Sequence, residues 1–463
     1  VNRYLQDGFA PVADELTAFD LEVTGTIPDH LDGRYLRIGP NPVDDPGDDH
    51  HWFLGEGMVH GVRLEDGAAR WYRNRWVRPA EGDFAPNTHV VGHAGRTLAL
   101  VEGGSPPYEL GEELDTLGRA CFAGDLRAGY TAHPHEDPAT GELHAVSYSW
   151  TRGNRVDYSV LGTDGRLRRQ VEVEVHGSPM MHDCAITEHW VVLYDLPVTF
   201  DIDMVAGRTP RPMRLPTRFA LNRIVGRNPV PDRVIDAVTR GRRAPSQLPY
   251  SWDADYPARI GLLPREGAAD GSDVRWFDID PCYVFHTLNA FEVPETGEVV
   301  IDVVRHDRMF ATVFTGPDEG PTSLVRFTLD LASGKAHEHR HDEHSQEFPR
   351  IDERLTGRRH RFGYAVEITD GAPGDAVLRH DTVAGTTDVR RLGAGLEVGE
   401  LVFVPNGRDA AEDDGVLMGY VTDRPTGRSA LRLLDAATLE DVATVHLPGR
   451  VPAGFHGSWL PDD

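Results

Sequence analysis

Seven short segments of this chain follow one plan: a β-like run, a turn built on Gly, Asp or Asn, and a second β-like run. They are HGVRLEDGAARWYRNRWV (60–77), TAHPHEDPATGELHAVSYS (131–149), SVLGTDGRLRRQVEVEV (159–175), NAFEVPETGEVVIDVV (289–304), LVRFTLDLASGKAHEHRH (324–341), AVLRHDTVAGTTDVRRL (376–392) and ALRLLDAATLEDVATVHL (430–447). Alternating β-branched and aromatic residues on either side of a turn signal read as hairpins. A chain with so many hairpins in series can bury them in two ways: as two stacked sheets, or as four-stranded blades repeated around an axis. A blade needs roughly 40–50 residues, so seven blades use most of the 463 residues. The expected fold is all-β: one seven-bladed β-propeller domain over 1–463, with a helical or loop cap on one face. A β-sandwich pair is the competing reading.

Composition removes several function classes. The formal net charge of −27 repels nucleic-acid backbones, so no nucleic-acid partner is expected. Lys335 is the single lysine, which all but removes a catalytic amine. No Rossmann or P-loop motif is present. No stretch approaches the ~18 apolar residues of a spanning helix, and the N-terminus VNRYLQDGFAPVADELTAFD lacks the basic-then-apolar plan of a secretory signal. Cys121, Cys184 and Cys282 are far apart with no CxxC, as in a protein of a reducing compartment. The expected location is cytoplasmic.

One segment breaks the hairpin pattern. Residues 204–247 (MVAGRTPRPMRLPTRFALNRIVGRNPVPDRVIDAVTRGRRAPSQ) hold ten arginines against Asp232 and Asp236. Pro231 and Asp232 look like the start of a helix over DRVIDAVTRG, with Gly241 as its stop. Apolar residues such as Phe219, Leu221 and Ile224 lie between the arginines. The segment reads either as a solvated insertion paired with the acidic body, or as an Arg/Pro-rich element of the cap. In the second reading it would touch an anionic membrane surface peripherally and admit a lipid-dissolved substrate.

Of 22 histidines most must be incidental. HEHRHDEH (337–344) puts His337, His339 and His341 on one strand face, but alternating charges mark it as an exposed arm. Four others keep closer company with apolar runs: His133 in TAHPHEDP, His182 in MMHDCAIT, His286 in CYVFHTLNAFE and His456 in VPAGFHGSWLP. Their separations of 49, 104 and 170 residues defeat any single helix or hairpin. A propeller unites such residues, because the innermost strand of each blade runs along a shared axis.

In this order AHP, MHD, FHxxNAFE and GFHGxW resemble the four iron-ligand motifs of the carotenoid cleavage oxygenases. That family includes stilbene-cleaving dioxygenases and a vertebrate retinoid isomerase. GRYLRIGPNP (33–42), HWFLGEGMVHG (51–61), NTHVVGHAGRTLALVEGG (87–104), PYSWDADYPARIGLLPR (249–265), EFPRID (347–352) and GELVFVPN (399–406) extend the likeness over nearly the whole chain. The resemblance implies an axial Fe(II) held by His133, His182, His286 and His456, which are then the catalytic centre, with Glu102, Glu347 and Glu400 behind them. His135 is a decoy, since the family histidine precedes the proline. Leu401 stands where the family usually has proline. Thr88 matches a position that crowds one open coordination site. Phe53 and Phe285 match tunnel-lining positions; Trp150, Phe310 and Trp459 are looser candidates.

The chemistry suits that set. Imidazole binds divalent iron, each ring must be neutral, and a buried carboxylate accepting the outer N–H fixes tautomer and ring angle. Four ligands leave coordination positions open, as catalytic sites require. The resemblance implies cleavage of a conjugated C=C bond of a carotenoid or apocarotenoid with O2, giving two aldehydes. The alternative is a phenylpropenoid or stilbene alkene cleaved to aromatic aldehydes. Stilbene-cleaving members carry a lysine just before the first of these glutamates; here it is Val101, so Tyr108 or Tyr283 would have to hold the polar end. A non-enzymatic propeller scaffold would leave the His/Glu pattern without purpose. No obligate protein partner is evident.

Overall fold

The computed structural model describes residues 2–122, 126, 129–230, 247–268 and 270–462. Its described residues form seven antiparallel sheets of four or more strands, plus one two-stranded ribbon. The seven sheets are the blades of a β-propeller. The first blade holds Gly33–Pro40, Gly57–Glu65, Ala68–Trp76 and Thr17–Phe19; the second runs from His89–His93 to Thr116–Arg119. The third runs from His135–Glu136 to Leu167–Glu174, and the fourth combines Cys184–Ile186, Trp190–Asp195, Arg259–Pro264 and Arg275–Asp278. The fifth runs from Tyr283–Val293 to Lys335–Asp342, the sixth from Gln346–Arg350 to Thr386–Arg391. In the seventh, Leu396–Val398 and Val402–Pro405 both pair with Gly415–Asp423, followed by Arg428–Asp435 and Asp441–His446.

The ring closes with both ends of the chain. Gly457–Pro461 becomes the innermost strand of the first blade by pairing with Gly33–Pro40, and Val23–Gly25 becomes the outer strand of the seventh by pairing with Asp441–His446. Each closing strand satisfies a ladder that would otherwise be an open edge.

Blades pack face to face, so their middle strands read as continuous apolar runs rather than alternating ones. In Glu298–His306 the residues Val299, Ile301, Val303 and Val304 are all fully buried. Asp302 lies among them, and Arg326 clamps both its oxygens at 2.7 Å. A buried carboxylate is tolerated only with such a partner.

Two inner strands carry irregularities where the site lies. Register slips between Val284 and Thr287, around His286, and between Glu347 and Arg350. Bulges of this kind re-aim a side chain out of the regular pleat. Phe348, inside the second, has φ of 54°, an uncommon conformation for a large L-residue and one that recurs at functional sites.

The fourth blade is interrupted between Asp195 and Arg259. The excursion forms the ribbon Val198–Phe200 with Tyr250–Trp252 and the helices Ile202–Gly207 and Arg214–Ile224. Trp150 stacks on Phe200 (centroids 5.2 Å apart), and Trp252 N donates to Phe310 O, so the ribbon caps one end of the propeller. The helix expected over DRVIDAVTRG lies outside the described residues. Among those described, no helix is long and apolar enough to cross a membrane.

Candidate metal centre

Each of the four histidines sits at the start of an innermost strand. His133 and His182 lie two residues before His135–Glu136 and Cys184–Ile186, His456 immediately precedes Gly457–Pro461, and His286 lies in the bulge of Tyr283–Val293. Equivalent positions in four blades point toward one axis. His286 Nε2 is 3.1 Å from His456 Nε2 and 3.4 Å from His182 Nε2, and the His133 ring centroid is 4.3 Å from that of His182. One nitrogen from each of the four lies within 4.8 Å of the others. An ion ~2.1 Å from each nitrogen would space neighbouring nitrogens by about 3.0–3.4 Å, so the set fits a metal. The His133 Nε2, buried and without a hydrogen bond, fits it too.

Three carboxylates stand behind three of the rings. Glu347 Oε2 accepts from His286 Nδ1 at 2.5 Å and Glu400 Oε1 from His456 Nδ1 at 2.8 Å. Glu102 Oε1 lies 2.7 Å from His182 Nδ1. His133 has no such carboxylate; its Nε2 is 3.8 Å from Glu102. Leu401 is buried in the core beside Glu400 without displacing it.

Burial holds His133 well below its usual range and lowers His456 against the opposing pull of Glu400, while for His286 burial is outweighed by the carboxylate of Glu347, which raises it. A metal requires neutral rings, so its binding would displace any proton from His286. Burial pushes the Glu347 carboxyl up, but the attraction of His286 and hydrogen bonds from His286 and His306 outweigh it and hold it far below the carboxylate range. For Glu400, Arg350 and His456 overcome burial in the same way. The centre therefore keeps anions at hand to offset a cation.

An aromatic wall stands over His182. Phe285 meets that ring edge-on (5.0 Å, 83°), and Phe53 packs on Phe285 at 5.7 Å, Phe310 at 6.2 Å and Phe455 at 5.4 Å. Phe310 is buried with φ of 55°. Thr88 adjoins the centre through its carbonyl, which accepts from His456 N at 3.0 Å, while its hydroxyl donates to Asn87. Trp150 stands further out, on the Phe200 ring.

Other candidates lie elsewhere. Trp459 lines the opposite, polar side of the axis. Tyr108 is in the outer half of the second blade, its hydroxyl bonded to Asp83 and to Ala80 N. Tyr283 packs on Phe285, and its hydroxyl donates to Met180 O at 2.9 Å. His337 and His339 are exposed on an outer strand, and no metal-ligating group among the described residues includes them.

Sequence reading missed a further layer. Tyr148 donates to Glu102 at 2.7 Å, His306 shares Glu347 at 2.8 Å, and Arg350 grips both oxygens of Glu400 at 3.1 and 3.2 Å. Phe348 stacks on His286 at 5.6 Å. Arg350 and Phe348 were within the quoted EFPRID motif; a bulge placing both at the axis is invisible in a linear pattern.

The family model described as Retinal pigment epithelial membrane protein matches residues 9–461. The chain belongs to this family, the carotenoid cleavage oxygenases. It is 52% identical over 493 residues to a carotenoid cleavage oxygenase of Mycobacterium tuberculosis, covering 99% of this chain and 98% of that protein. It is 31% identical over 533 residues to carotenoid 9,10(9',10')-cleavage dioxygenase 1 of Pisum sativum, covering 100% and 90%. Among solved structures it resembles the Pseudomonas brassicacearum lignostilbene dioxygenase, with TM-score 0.82, 25% identity and coverage of 99% and 98%. It also resembles a cobalt-substituted Synechocystis apocarotenoid oxygenase, with TM-score 0.80, 26% identity and coverage of 98% of each chain. Like the carotenoid oxygenases it matches, this chain is an enzyme of the dioxygenase type.

Proposed function

We propose that this carotenoid oxygenase homologue is a non-haem Fe(II) dioxygenase that cleaves one conjugated C=C bond of a carotenoid or apocarotenoid. The whole of 1–463 serves as one propeller domain in this reading. The observation that carries it is the meeting of the His182, His286 and His456 Nε2 atoms beneath a wall of phenylalanines. The overall change is R–CH=CH–R′ + O2 → R–CHO + OHC–R′: both C–C bonds of the double bond break and each carbon takes one oxygen atom. Iron bound by His133, His182, His286 and His456 would supply the redox-active centre for dioxygen, which a zinc ion does not.

The remaining work falls to the protein. Phe285, Phe53 and Phe310 hold an apolar polyene against the centre and exclude water, which would otherwise compete there. Trp150 extends that lining outward, and Thr88 narrows the space beside His456. Glu102, Glu347 and Glu400 fix ring angle and tautomer. The stilbene alternative finds less support, since Val101 replaces the lysine and the hydroxyls of Tyr108 and Tyr283 are already engaged. Iron-loaded protein given carotenoids, apocarotenoids and 4-hydroxystilbenes should release paired aldehydes from a polyene, read by mass. Turnover of stilbenes alone would transfer the assignment to the alternative, and no turnover at full iron occupancy would end both.

A lipid-dissolved substrate also needs a docking surface, and we assign it to 204–247. In support, Met213, Leu215 and Phe219 are exposed among Arg214, Arg218 and Arg223, with Arg223 lying over the Phe219 ring at 4.5 Å. Burying such side chains in lipid contributes roughly 1.5–3 kcal/mol each. The double variant Leu215→Ser, Phe219→Ser should therefore bind anionic vesicles at least about tenfold more weakly in co-sedimentation. Equal binding would remove the membrane role.

A further inference from the structure

The four histidines have two unlike sides. Phe53, Phe285, Phe310 and Phe455 close one of them. On the other lies a cavity of about 1040 Å3 that reaches His133, His286 and His456 and takes wall residues from all seven blades, so it lies on the propeller axis. None of the four phenylalanines lines it; His135, Glu136, Asp183 and Glu353 do. Glu136 also interacts with the neighbouring carboxylates of Glu353 and Asp137, which gathers negative charge at that part of the wall.

His135 and Asp183 form a second metal-ligating group with Cys184, their ligand atoms within 4.8 Å of one another. His135 Nε2 is 2.9 Å from Asp183 Oδ1, and Asp183 is pinned by Thr287 N at 2.7 Å. Cys184 takes little part: burial pushes its thiol well up, and its Sγ faces His133 O. Two ligands make a weak site, and it lies only two residues from His133 and one from His182 along the chain.

We propose that the axial cavity is the route by which a hydrated divalent cation reaches the four histidines of the folded protein, and that His135 with Asp183 is a transit site on its wall. The proposal rests on the metal-centre reading above. A bare dication cannot cross the phenylalanine side, where desolvating an isolated charge costs on the order of tens of kcal/mol. The cavity lets it keep water and meet carboxylates. Exchange of the ion one ligand at a time, from water to His135 and Asp183 and then to the inner imidazoles, avoids any fully desolvated stage.

The test uses folded full-length protein stripped of metal by a chelator, mixed with Co(II), and followed by the visible absorption of the ligated ion. His135→Ala should slow uptake by about tenfold or more, and slow chelator-driven release equally, leaving the equilibrium affinity unchanged. Glu136→Arg, at an exposed position, should slow uptake without touching the centre, and Phe53→Leu should leave the rate as it is. Wild-type rates in both His135→Ala and Glu136→Arg would overturn the route, as would a change confined to Phe53→Leu. Cobalt that fails to bind the unaltered protein at all would instead sink the metal centre, and the route with it.

Discussion

A His182→Ala protein should purify folded, free of metal and without oxygenase activity above background. In the proposed centre the ring contributes one of four ligand nitrogens, and the carboxylate beside it, Glu102, is directed to the ring's far nitrogen rather than to the centre. Three imidazoles hold a divalent ion less tightly than four, and the set loses the ligand that faces Phe285. The fold should survive. Truncating the ring opens a small cavity at a destabilisation of about 2–4 kcal/mol, while the strand register around it is fixed by Cys184–Ile186 pairing with Trp190–Asp195. Glu102 keeps its bond from Tyr148, so no wholly uncompensated charge is left behind. Circular dichroism matching the parent, with metal content near zero, is the expected result. Full iron occupancy in this variant would remove His182 from the ligand set. His135→Ala is the informative contrast, because it alters a neighbouring imidazole and should retain equilibrium metal binding.

The sequence made the architecture readable at the hairpins and hid it elsewhere. All seven predicted hairpins are formed, but they occupy only five blades: the third and fifth each contain two. The second blade escaped because its strands are short, such as His89–His93 and Arg96–Leu100. The fourth escaped because the excursion after Asp195 separates strands that pair with each other, Trp190–Asp195 and Arg259–Pro264. The number of blades was thus correct although hairpins and blades do not correspond one to one.

At the site, the four histidines were readable because each borders an apolar inner strand and stands in a resembling motif. His135 was separable from His133 only by its place after the proline, and the structure gives it a different partner, Asp183. Glu400 was the weakest of the three carboxylates on sequence, given Leu401, yet it lies 2.8 Å from His456 Nδ1. Arg350, His306 and Tyr148 were not legible, because their roles depend on contacts across 50, 41 and 46 residues that no local period encodes. The two-sided character of the axis was equally hidden. Trp459 is as aromatic as Phe310, and only the fold decides that Trp459, on the strand Gly457–Pro461, faces the polar cavity while Phe310, in the loop after Glu298–His306, joins the phenylalanine wall.

Glu347→Gln should keep the shape of the centre and weaken metal binding by roughly 10–100-fold. Glu347 accepts from His286 Nδ1, from His306 Nε2 and from its neighbour's Phe348 N. Glutamine retains one oxygen acceptor and turns the other position into a donor. His286 has no freedom to adjust: its Nε2 faces the centre, so its Nδ1 must carry the proton and must find an oxygen. His306 has no such constraint, since it can shift its proton to Nδ1 and offer Nε2 as an acceptor to the new amide. Geometry is therefore largely preserved, and what disappears is one negative charge beside an imidazole that, in the proposed centre, would bind a dication. Chelator competition should show the loss in dissociation constant, while Glu347→Ala, which also releases the His286 ring, should lose more. Equal losses in the two variants would mean that Glu347 acts through its charge alone. An unchanged dissociation constant in Glu347→Gln would remove this carboxylate from any part in holding the metal.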